Sequence, residues 1–562
     1  MKRLLAVLLT CSMVWGLCAC GQGAAGTTKQ ADSGEEAETG QRVESEEGAE
    51  GEAENASSGK KDTWLCDEKT TLTLYTYDGV DSSFPAPSND LEFWQWMEDY
   101  TNVHIEWEIS PYTGYDEIVS TKMASGSDLP DILNTHSMDL ANDAGRNGLL
   151  VNLSEYWDTC FTNTQAYFDQ MGTDYKALIS NEDGSCYGIA GMVEPIEGHI
   201  MFLYNTEWMK QLGAEVPRTL DEFTELLKKM KEAGDLNGNG EADEIILTSA
   251  SVDGITSALG SAFGLEQYEG WDSFVADGSG VVTDEYTSEK MKNYLTYVSG
   301  LYADGLIDKE ITTMTADTAS EKIADGRVGI YAFYSAYAII FGNLAPGAEE
   351  DPLGERYTLG YPLASDYNDN SAYFVRRDRT VEDTGVITSG CKNPELAAKW
   401  LDTLFADPEV LMTRTNGFEG VDWEYDESGE FQLIYPEDGS AWKVTQKGCG
   451  QIAFAYIQTK EQFLNSRRSY QWYLDEYDDL RENCNWVSPS VAKVTCYTDA
   501  ERDKLDLCKT DVISYWEEMR DKFLTGAASV ENDWDTYVST INTLGLETMT
   551  EAYQSVYDRT AK

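Results

Sequence analysis

Hydrophobic and polar positions along the first part of the chain change repeatedly between two periods. Residues 71–77 (TLTLYTY) and 103–109 (VHIEWEI) alternate with a period of two and are rich in residues that favour strands. Residues 91–100 and 115–125 instead carry apolar side chains every three to four positions, as one face of a helix does. A short apolar run at 129–133 follows. This order of strands and helices predicts an α/β fold with a parallel sheet.

The same order of elements recurs further along the chain. Residues 200–204 have the pattern of an apolar strand. Thr219 and Glu222 then form a predicted capping box, in which each side chain accepts a hydrogen bond from the other residue's backbone N–H at a helix start. Pro394 is predicted to open another helix in its first turn. From residue 462 to the C-terminus the pattern is mainly helical.

The first nineteen residues have the pattern of a secretory signal peptide. Lys2 and Arg3 precede an uncharged, mostly apolar stretch at 4–17, which is too short for a membrane span of about 20 residues. The stretch ends in LCACG, which resembles a bacterial lipobox, in which cleavage leaves the last cysteine lipidated. We therefore predict that residues 1–19 are removed and that Cys20 carries acyl chains that hold the protein at the membrane. The alternative is an ordinary signal peptide with incidental cysteines.

Composition divides the rest of the chain into a polar linker and a globular body. Residues 20–62 are mainly small, polar and acidic, with almost no large apolar side chain, so we expect a disordered acidic linker. The body is too long for one core and is expected to form two or three domains. The chain has 41 Lys and Arg against 100 Asp and Glu, a net charge of −59. This charge argues against a nucleic-acid partner and against a polybasic membrane surface.

The sequence offers little support for an enzyme or a zinc protein. It has 11 Cys and 3 His but no C-x-x-C pair. It contains no G-x-S-x-G elbow, no H-E-x-x-H pair and no Walker loop. Among 100 acidic residues a carboxylate pair can always be imagined, so their number does not indicate a glycoside hydrolase. We expect no catalytic residues, with a surface hydrolase or an adhesin as less favoured alternatives.

Several short motifs follow one another in the body of the chain. Residues 123–132 (MASGSDLPDI) have the pattern of a helix end, a turn and a strand, and residues 187–189 (YGI) precede a further apolar run. Other motifs are at 204–209, 212–223, 302–308 (YADGLID), 416–420 (NGFEG), 534–538 and 544–546. In this order, behind a lipobox, they resemble the extracellular solute-binding lipoproteins of ABC transporters, specifically the large oligosaccharide-binding subgroup. Ser127 is an extra residue, and Ala190 stands where that family has a proline.

The resemblance implies a two-lobed fold of the type II periplasmic-binding-protein class. Each lobe would be a mostly parallel sheet flanked by helices, with a helical C-terminal part. The expected lobes are residues 63–190 with 332–384 and residues 191–331 with 385–562. The chain would cross between them near residues 189–194, 331–333 and 384–387.

The resemblance also implies a function in transport. A carbohydrate, in the first place an oligosaccharide, would be captured in the cleft between the lobes, which would close on it. The closed form would then be recognised by a permease of an ABC transporter. The protein would act as a monomer, tethered by its lipid to the extracellular face of the bacterial cytoplasmic membrane. A peptide or another small metabolite is the alternative ligand.

Ligand-binding residues are predicted where loops leave strand ends or cross between lobes. Sugars present C–H faces and hydroxyl groups, so flat rings and hydrogen-bonding side chains at such places are suitable partners. The candidates are Tyr77, Asp78, His136, Glu194, Trp271, Tyr334, Arg376 and Trp423.

The loop DLNGNGEADE at residues 235–244 resembles the start of an EF-hand. Oxygen-bearing side chains at its first, third and fifth positions and Gly at its sixth match that calcium loop, but it closes at its tenth residue. The same loop recurs in the binding proteins that the chain resembles, where it holds structural Ca²⁺. The predicted ligands are Asp235, Asn237, Asn239, the carbonyl of Glu241, Asp243 and Glu244. The alternative is a Gly-Asn surface turn without metal.

Overall fold

The computed structural model describes residues 61–79, 85–193, 200–267, 272–376, 381–434, 448, 450, 456–491 and 496–560. These residues belong to one compact unit, residues 60–562. The predicted signal peptide, the predicted lipidation site Cys20 and nearly all of the predicted linker lie outside the described residues, and so do Glu194 and Trp271.

Strands and helices alternate through most of the chain. The strands are β1 Thr70–Tyr77, β2 Val103–Ser110, β3 Ile132–Asn134, β4 Ile189–Val193, β5 Ile200–Asn205, β6 Ile245–Ser249, β7 Phe274–Ala276, β8 Val282–Asp284, β9 Val328–Tyr334, β10 Tyr357–Leu359, β11 Tyr373–Val375, β12 Val381–Ile387, β13 Trp423–Tyr425, β14 Phe431–Leu433, β15 Ile457–Gln458 and β16 Asn485–Val487. The α-helices are α1 Glu92–Thr101, α2 Tyr115–Ser125, α3 Met138–Arg146, α4 Trp157–Cys160, α5 Thr162–Gln170, α6 Tyr175–Ile179, α7 Thr206–Leu212, α8 Leu220–Ala233, α9 Val252–Leu259, α10 Glu289–Ala303, α11 Ala316–Ala324, α12 Tyr337–Gly342, α13 Pro394–Ala406, α14 Pro408–Asn416, α15 Lys460–Asn465, α16 Gln471–Asn483, α17 Asp499–Asp506, α18 Lys509–Thr525, α19 Val530–Thr543 and α20 Leu546–Thr560.

The first sheet has six strands in the order β15-β4-β12-β3-β1-β2. Strand β1 pairs in parallel with β2 and β3, whereas β12 runs antiparallel to β3 and β4. The predicted strands at 71–77 and 103–109 are β1 and β2. Because successive side chains of a strand point to opposite faces, Leu74 is buried on one side of the sheet and Tyr75 and Tyr77 on the other.

Helices cover both faces of the first sheet. Trp94 of α1 and Trp400 of α13 lie in the core on one face, and Val119 of α2 and Ala141 of α3 lie in the core on the other. Helix α13 begins at Pro394 as predicted, and the side chain of its N-cap residue accepts a hydrogen bond from a backbone N–H of the first turn. We call this sheet with its two cores the first lobe.

The second sheet has four strands in the order β10-β5-β9-β6. Strand β9 is antiparallel to β5 and parallel to β6. Phe202 and Phe223 stack in its core at 4.6 Å between ring centroids, and Trp516 and Trp534 of the C-terminal helices belong to the same core. The predicted capping box of Thr219 and Glu222 is present at the start of α8. We call this sheet with its core and the C-terminal helices the second lobe.

The chain forms two lobes, but its segments are distributed between them differently from the expected ranges. The second sheet is mostly antiparallel, since β5 pairs antiparallel with both β9 and β10. Strand β10, expected in the first lobe, pairs with β5 and buries Tyr357 and Leu359 in the second. Helices α13 and α14, expected in the second lobe, bury Trp400 and Val410 in the first. The buried apolar side chains of β10, α13 and α14 thus determine the lobe in which each of these elements packs.

The crossings between lobes also lie elsewhere than expected at two points. The chain passes from the first lobe to the second between β4 and β5, close to the expected site. It returns to the first lobe between β11 and β12, and it enters the second lobe again between β15 and α15. Residues 331–333, expected to cross, lie inside β9 and pair with β5. Residues 384–387 lie inside β12 and pair in the first sheet. In the part of the chain that is described, none of the helices is long and apolar enough to cross a membrane.

Candidate functional site

The carboxyl ends of β1 and β3 meet at one edge of the first sheet, beside β12. Tyr77 is the last residue of β1, and its hydroxyl donates a hydrogen bond to the carboxylate of Asp383 on β12, at 3.1 Å from Oδ1 and 3.3 Å from Oδ2. Burial and the Asp383 charge raise the pKa of Tyr77 far above its usual range, so this hydroxyl keeps its proton. Tyr77 therefore acts as a hydrogen-bond donor at this edge.

Asp383 occupies an irregular position in β12. The pairing of β12 with β4 shifts register between Glu382 and Thr384, the two neighbours of Asp383. Asp383 has a φ of 40°, a backbone conformation that residues other than glycine rarely adopt. Its carboxylate is buried and also accepts a hydrogen bond of 3.2 Å from Asn134 Nδ2. Burial raises the pKa of Asp383, while His136 and the two hydrogen bonds oppose that rise. The bulge thus places a carboxylate at the end of the sheet.

His136 links this buried carboxylate to a more exposed one. Its ring Nδ1 lies 3.0 Å from Asp116 Oδ1, and its Nε2 lies 3.6 Å from Asp383 Oδ1. The backbone is held by a hydrogen bond of 2.9 Å from the His136 N–H to Asn134 Oδ1, at a φ of 55°. The ring is 5.6 Å from that of Tyr77, edge to face. About a quarter of the His136 side chain is exposed, so it can meet a ligand.

Tyrosine rings surround the same edge. Tyr112 and Tyr115 each pack edge to face on Tyr77, with ring centroids 5.2 Å apart. The Tyr115 hydroxyl donates to the backbone oxygen of Asn134. Tyr112 is 38% exposed, and its backbone N–H donates to Asp78 Oδ1 at 2.8 Å. Asp78 therefore holds the loop that presents an exposed ring.

A second group of polar rings lies where the chain leaves the first sheet for the second lobe. The backbone oxygen of Tyr456 accepts a hydrogen bond from Met192 of β4, and the guanidinium of Arg414 lies 5.7 Å from the Tyr456 ring centre. On the side of the second lobe, the hydroxyls of Tyr473 and Ser335 are 2.9 Å apart. Polar side chains thus continue from the edge of the first sheet toward the second lobe.

The other described candidates from the sequence do not join the Tyr77 group. Tyr334 is the last residue of β9 in the second sheet and packs edge to face on Phe333 at 4.9 Å. Arg376 donates from Nε to Ser488 Oγ at 2.7 Å, beside the crossing into β12. Trp423 is buried and donates from its indole N–H to the Gly417 oxygen.

Several residues of the site were missed by the sequence interpretation. Asp383, Asn134 and Tyr115 gave no signal, because each lies in an ordinary strand or helix pattern. Asp383 is 306 positions from Tyr77 along the chain, and only the sheet order brings them together. Tyr112 lies just beyond the end of β2, where the rule that identified Tyr77 would also have found it.

The predicted calcium loop at residues 235–244 folds around its own polar side chains. Backbone N–H groups donate to Asp235 Oδ2, Asn237 Oδ1, Asn239 Oδ1 and Glu244 Oε1, at 2.6–3.0 Å for the shortest bond to each. The side-chain amides of Asn237 and Asn239 both lie within 3.3 Å of Asp243 Oδ1. No group of three His, Cys, Asp or Glu suited to a metal ion occurs among the described residues. The loop instead brings two amides and a carboxylate together.

Comparisons with known proteins place this fold in a family. A family model described as bacterial extracellular solute-binding protein matches residues 79–410. The fructooligosaccharide ABC transporter substrate-binding protein FusA of Streptococcus pneumoniae serotype 4 (strain ATCC BAA-334 / TIGR4) is 26% identical over 525 residues, which cover 88% of this chain and 92% of that protein. The polygalacturonan/rhamnogalacturonan-binding protein YtcQ of Bacillus subtilis (strain 168) is 22% identical over 241 residues, which cover 42% of this chain and 45% of that protein.

Solved structures have the same architecture. The alginate-binding protein AlgQ2, in a crystal structure without calcium ion, aligns with a TM-score of 0.73 at 20% identity, covering 89% of this chain and 100% of that one. FusA of S. pneumoniae in complex with kestose aligns with a TM-score of 0.69 at 23% identity, covering 87% and 99%. The matched span of the family model exceeds half of the chain. The chain belongs to the family of bacterial extracellular solute-binding proteins.

Proposed function

We propose that this protein captures an oligosaccharide between its lobes and delivers it to the permease of an ABC transporter. The observation that carries the proposal is the group of Tyr77, His136 and Asp383 at the carboxyl edge of the first sheet. Ligands of α/β proteins bind outside the carboxyl ends of strands. The relatives FusA, a fructooligosaccharide ABC transporter substrate-binding protein, and YtcQ, a polygalacturonan/rhamnogalacturonan-binding protein, support a sugar ligand.

The chemistry of this group suits a sugar. The exposed ring of Tyr112 offers a flat apolar surface for C–H groups. His136 lies between the carboxylates of Asp116 and Asp383, which orient its ring. Nδ1 is within hydrogen-bond distance of Asp116, whereas Nε2 lies 3.6 Å from Asp383 Oδ1, beyond that distance, so Nε2 can exchange a hydrogen bond with a sugar hydroxyl. These side chains hold and orient a hydroxyl-rich ligand without changing a bond in it.

Release to a permease requires two states of the protein. A ligand that contacts both lobes favours the closed state by its difference in affinity for the two states. The crossings between β4 and β5, β11 and β12, and β15 and α15 would serve as the hinge. A permease that binds the closed form would then receive only loaded protein.

The proposed location is the extracellular face of the cytoplasmic membrane. Removal of residues 1–19 would leave Cys20 as the acylated N-terminus, and the acidic residues 20–62 would act as a spacer. We further propose that the body acts as a monomer. Replacement of Cys20 by Ser should release the protein into the medium, whereas replacement of Cys18 by Ser should leave it in the membrane fraction.

We further propose that the 235–244 loop binds a structural calcium ion. The side chains of Asp235, Asn237, Asn239 and Asp243 supply hard oxygen ligands, the kind that Ca²⁺ prefers. The side chains of Asn237 and Asn239 already lie beside Asp243, so three of the proposed ligands are grouped in the loop. The solved structure of a FusA EF-hand mutant is consistent with such a loop in a relative. Bound calcium would fix the start of β6 in the second lobe.

A thermal-shift screen tests the proposed function. The soluble body, residues 60–562, would be heated with oligosaccharides of different linkage and with peptides, at fixed calcium concentration. A ligand at 100 times its dissociation constant should stabilise the protein by about 2.7 kcal/mol. Stabilisation by one class of glycan, which is recovered intact after long incubation, supports a sugar-binding protein. Stabilisation by peptides alone, or breakdown of the glycan, would contradict the proposal.

A further inference from the structure

Arg467 lies on the path by which the chain passes from the first lobe into the second. It follows helix α15, and its Nη1 donates to the Phe463 oxygen at 2.8 Å and to Ser466 Oγ at 2.7 Å. The guanidinium also stacks on the Phe463 ring, 3.7 Å from the ring centre. These contacts fix the orientation of the side chain, which is only half-buried.

The charge of Arg467 has no counter-charge among the described residues. Among the described residues no carboxylate forms an ion pair with it, whereas the buried Arg520 pairs with both Asp253 and Asp521. Its neighbours are instead the hydroxyls of Tyr456, Tyr473 and Tyr477, and burial lowers the pKa of the guanidinium. Holding a partly buried cation without a counter-charge costs free energy. An anion that arrives with a ligand would remove that cost.

The donors left on Arg467 have a suitable geometry for a carboxylate. Both hydrogens of Nη1 are used by Phe463 and Ser466. Nε and Nη2 form the other edge of the planar guanidinium, and this edge can bind both oxygens of one carboxylate in parallel. The Tyr473 hydroxyl shares a hydrogen bond with the guanidinium and lies 2.9 Å from the Ser335 hydroxyl, so a carboxylate that binds this edge would take the place of Tyr473.

A second guanidinium lies close by. Arg414 lies over the ring of Tyr456, and the hydroxyl of that ring adds to the electrostatic environment of both Arg467 and Tyr77. Tyr456 therefore stands between two arginines and next to the edge of the first sheet. Arg414 is also near enough to the buried carboxylate of Asp383 for its charge to lower the pKa of that group. The negative net charge of the protein slows the approach of an anionic ligand. An ion pair that has formed away from water is weakened only a little by dissolved salt.

We infer that Arg467 binds a carboxylate of the sugar ligand, so that the oligosaccharide contains uronic acid residues. This inference rests on the proposed function and names the class of sugar at the same site. A sulfate ester would offer a similar charge and could also bind the guanidinium through two oxygens. We assign a carboxylate, and the sulfated sugar in the test below distinguishes the two anions.

The test compares matched acidic and neutral sugars by isothermal titration calorimetry. Full-length protein in detergent would be titrated with tri-galacturonate and with a mixed mannuronate–guluronate trimer, each beside its carboxyl-reduced counterpart, and with a sulfated neutral trisaccharide. One acidic trimer should bind at least about tenfold more tightly than its reduced form, as expected for a charged hydrogen-bonded pair. The Arg467→Gln variant should lose this preference. Arg468→Gln is the matched control, because Arg468 is exposed and donates only to Asn465 within the described contacts.

Each result is decisive for one of the two claims. Tight binding of a reduced trimer, or an acidic preference that persists in Arg467→Gln, would overturn the inference and leave the proposed function intact. Binding of the sulfated trisaccharide alone would overturn the carboxylate assignment. Failure of every sugar to bind would overturn the proposed function itself, and the inference with it. If Arg467→Gln does not fold, Arg467→Lys keeps the charge but removes the fork and should lose most of the preference.

Discussion

Arg502 of the second lobe forms an ion pair with Asp143 of the first. Nη1 of Arg502, on α17, lies 3.1 Å from Asp143 Oδ1 and 3.8 Å from Asp139 Oδ1, both on α3. Helix α3 begins at Met138, shortly after His136 in the chain. Arg502 is 13% exposed and Asp143 is 54% exposed. The two lobes are therefore joined by a partly solvated electrostatic contact.

This pair should couple the two lobes in a salt-dependent way. In a double-mutant cycle with Arg502→Gln and Asp143→Asn, we expect a coupling free energy of about 0.5–1 kcal/mol that falls as salt rises toward about 1 M. Chemical denaturation of the four proteins measures it. Lys504 and Glu551 provide the control, since they pair at 2.8 Å between α17 and α20, inside the second lobe, and are more exposed. Equal coupling in both cycles, or none in the first, would be contrary to this account.

Calcium should stabilise the body through the 235–244 loop. Addition of Ca²⁺ at about 100 times its dissociation constant should raise the free energy of unfolding by about 2.7 kcal/mol, and EDTA should remove the effect. Asp235→Asn should weaken the response. Asp277→Asn should retain it, because Asp277 accepts similar backbone hydrogen bonds in a different exposed turn. An unchanged calcium response in Asp235→Asn would show that the ion binds elsewhere.

Glu285 should make the body less stable as pH rises toward neutrality. Its carboxyl is 1% exposed, and burial raises its pKa to about 7 despite hydrogen bonds from the Glu266 N–H and the Ser273 hydroxyl. The unfolded chain loses this proton near pH 4.5, so between pH 4.5 and 7 the folded state binds more protons than the unfolded state. The stability contributed by the protonated carboxyl is complete below pH 4.5 and is lost as pH rises through 7.

The size of this pH effect follows from the shift in pKa. A difference of about 2.5 units corresponds to about 3 kcal/mol between the two ends of the window. Glu285→Gln should remove this component from the stability–pH profile measured by denaturation from pH 4 to pH 8. Glu289→Gln, at an exposed helix start, should leave the profile as it is. If Glu285→Gln has the profile of the wild type, Glu285 is ionised throughout.

The sequence predicted individual elements better than their arrangement. Strand β1 was found because its period of two and its strand-favouring residues are local signals, and the capping box of Thr219 was found because its two hydrogen bonds are local. The lobe to which β10 belongs depends on pairing with β5, some 150 residues earlier in the chain. No local pattern contains that information.

The candidate site was predicted only in part for the same reason. Tyr77 and His136 follow strands and could be placed at a sheet edge. Asp383 reaches them through a bulge with positive φ in a neighbouring strand, which the pattern of β12 does not reveal. Trp423 resembled a ligand-stacking ring, but in a short hairpin it stacks on Phe431 at 5.3 Å and donates to the Gly417 oxygen. Its indole N–H and one of its ring faces thus have partners within the protein.

The central claim is that the oligosaccharide binds at the carboxyl edge of the first sheet. The most direct measurement is the affinity of His136→Ala and His104→Ala for the best glycan of the screen, by isothermal titration calorimetry, with melting temperatures as a check on folding. His104 is the matched control, because it is 38% exposed and pairs with a carboxylate, Glu98, but lies at the amino end of β2. We predict that His136→Ala weakens binding by about tenfold or more while His104→Ala binds like the wild type. Wild-type affinity in both variants, or an equal loss in both, would contradict the account.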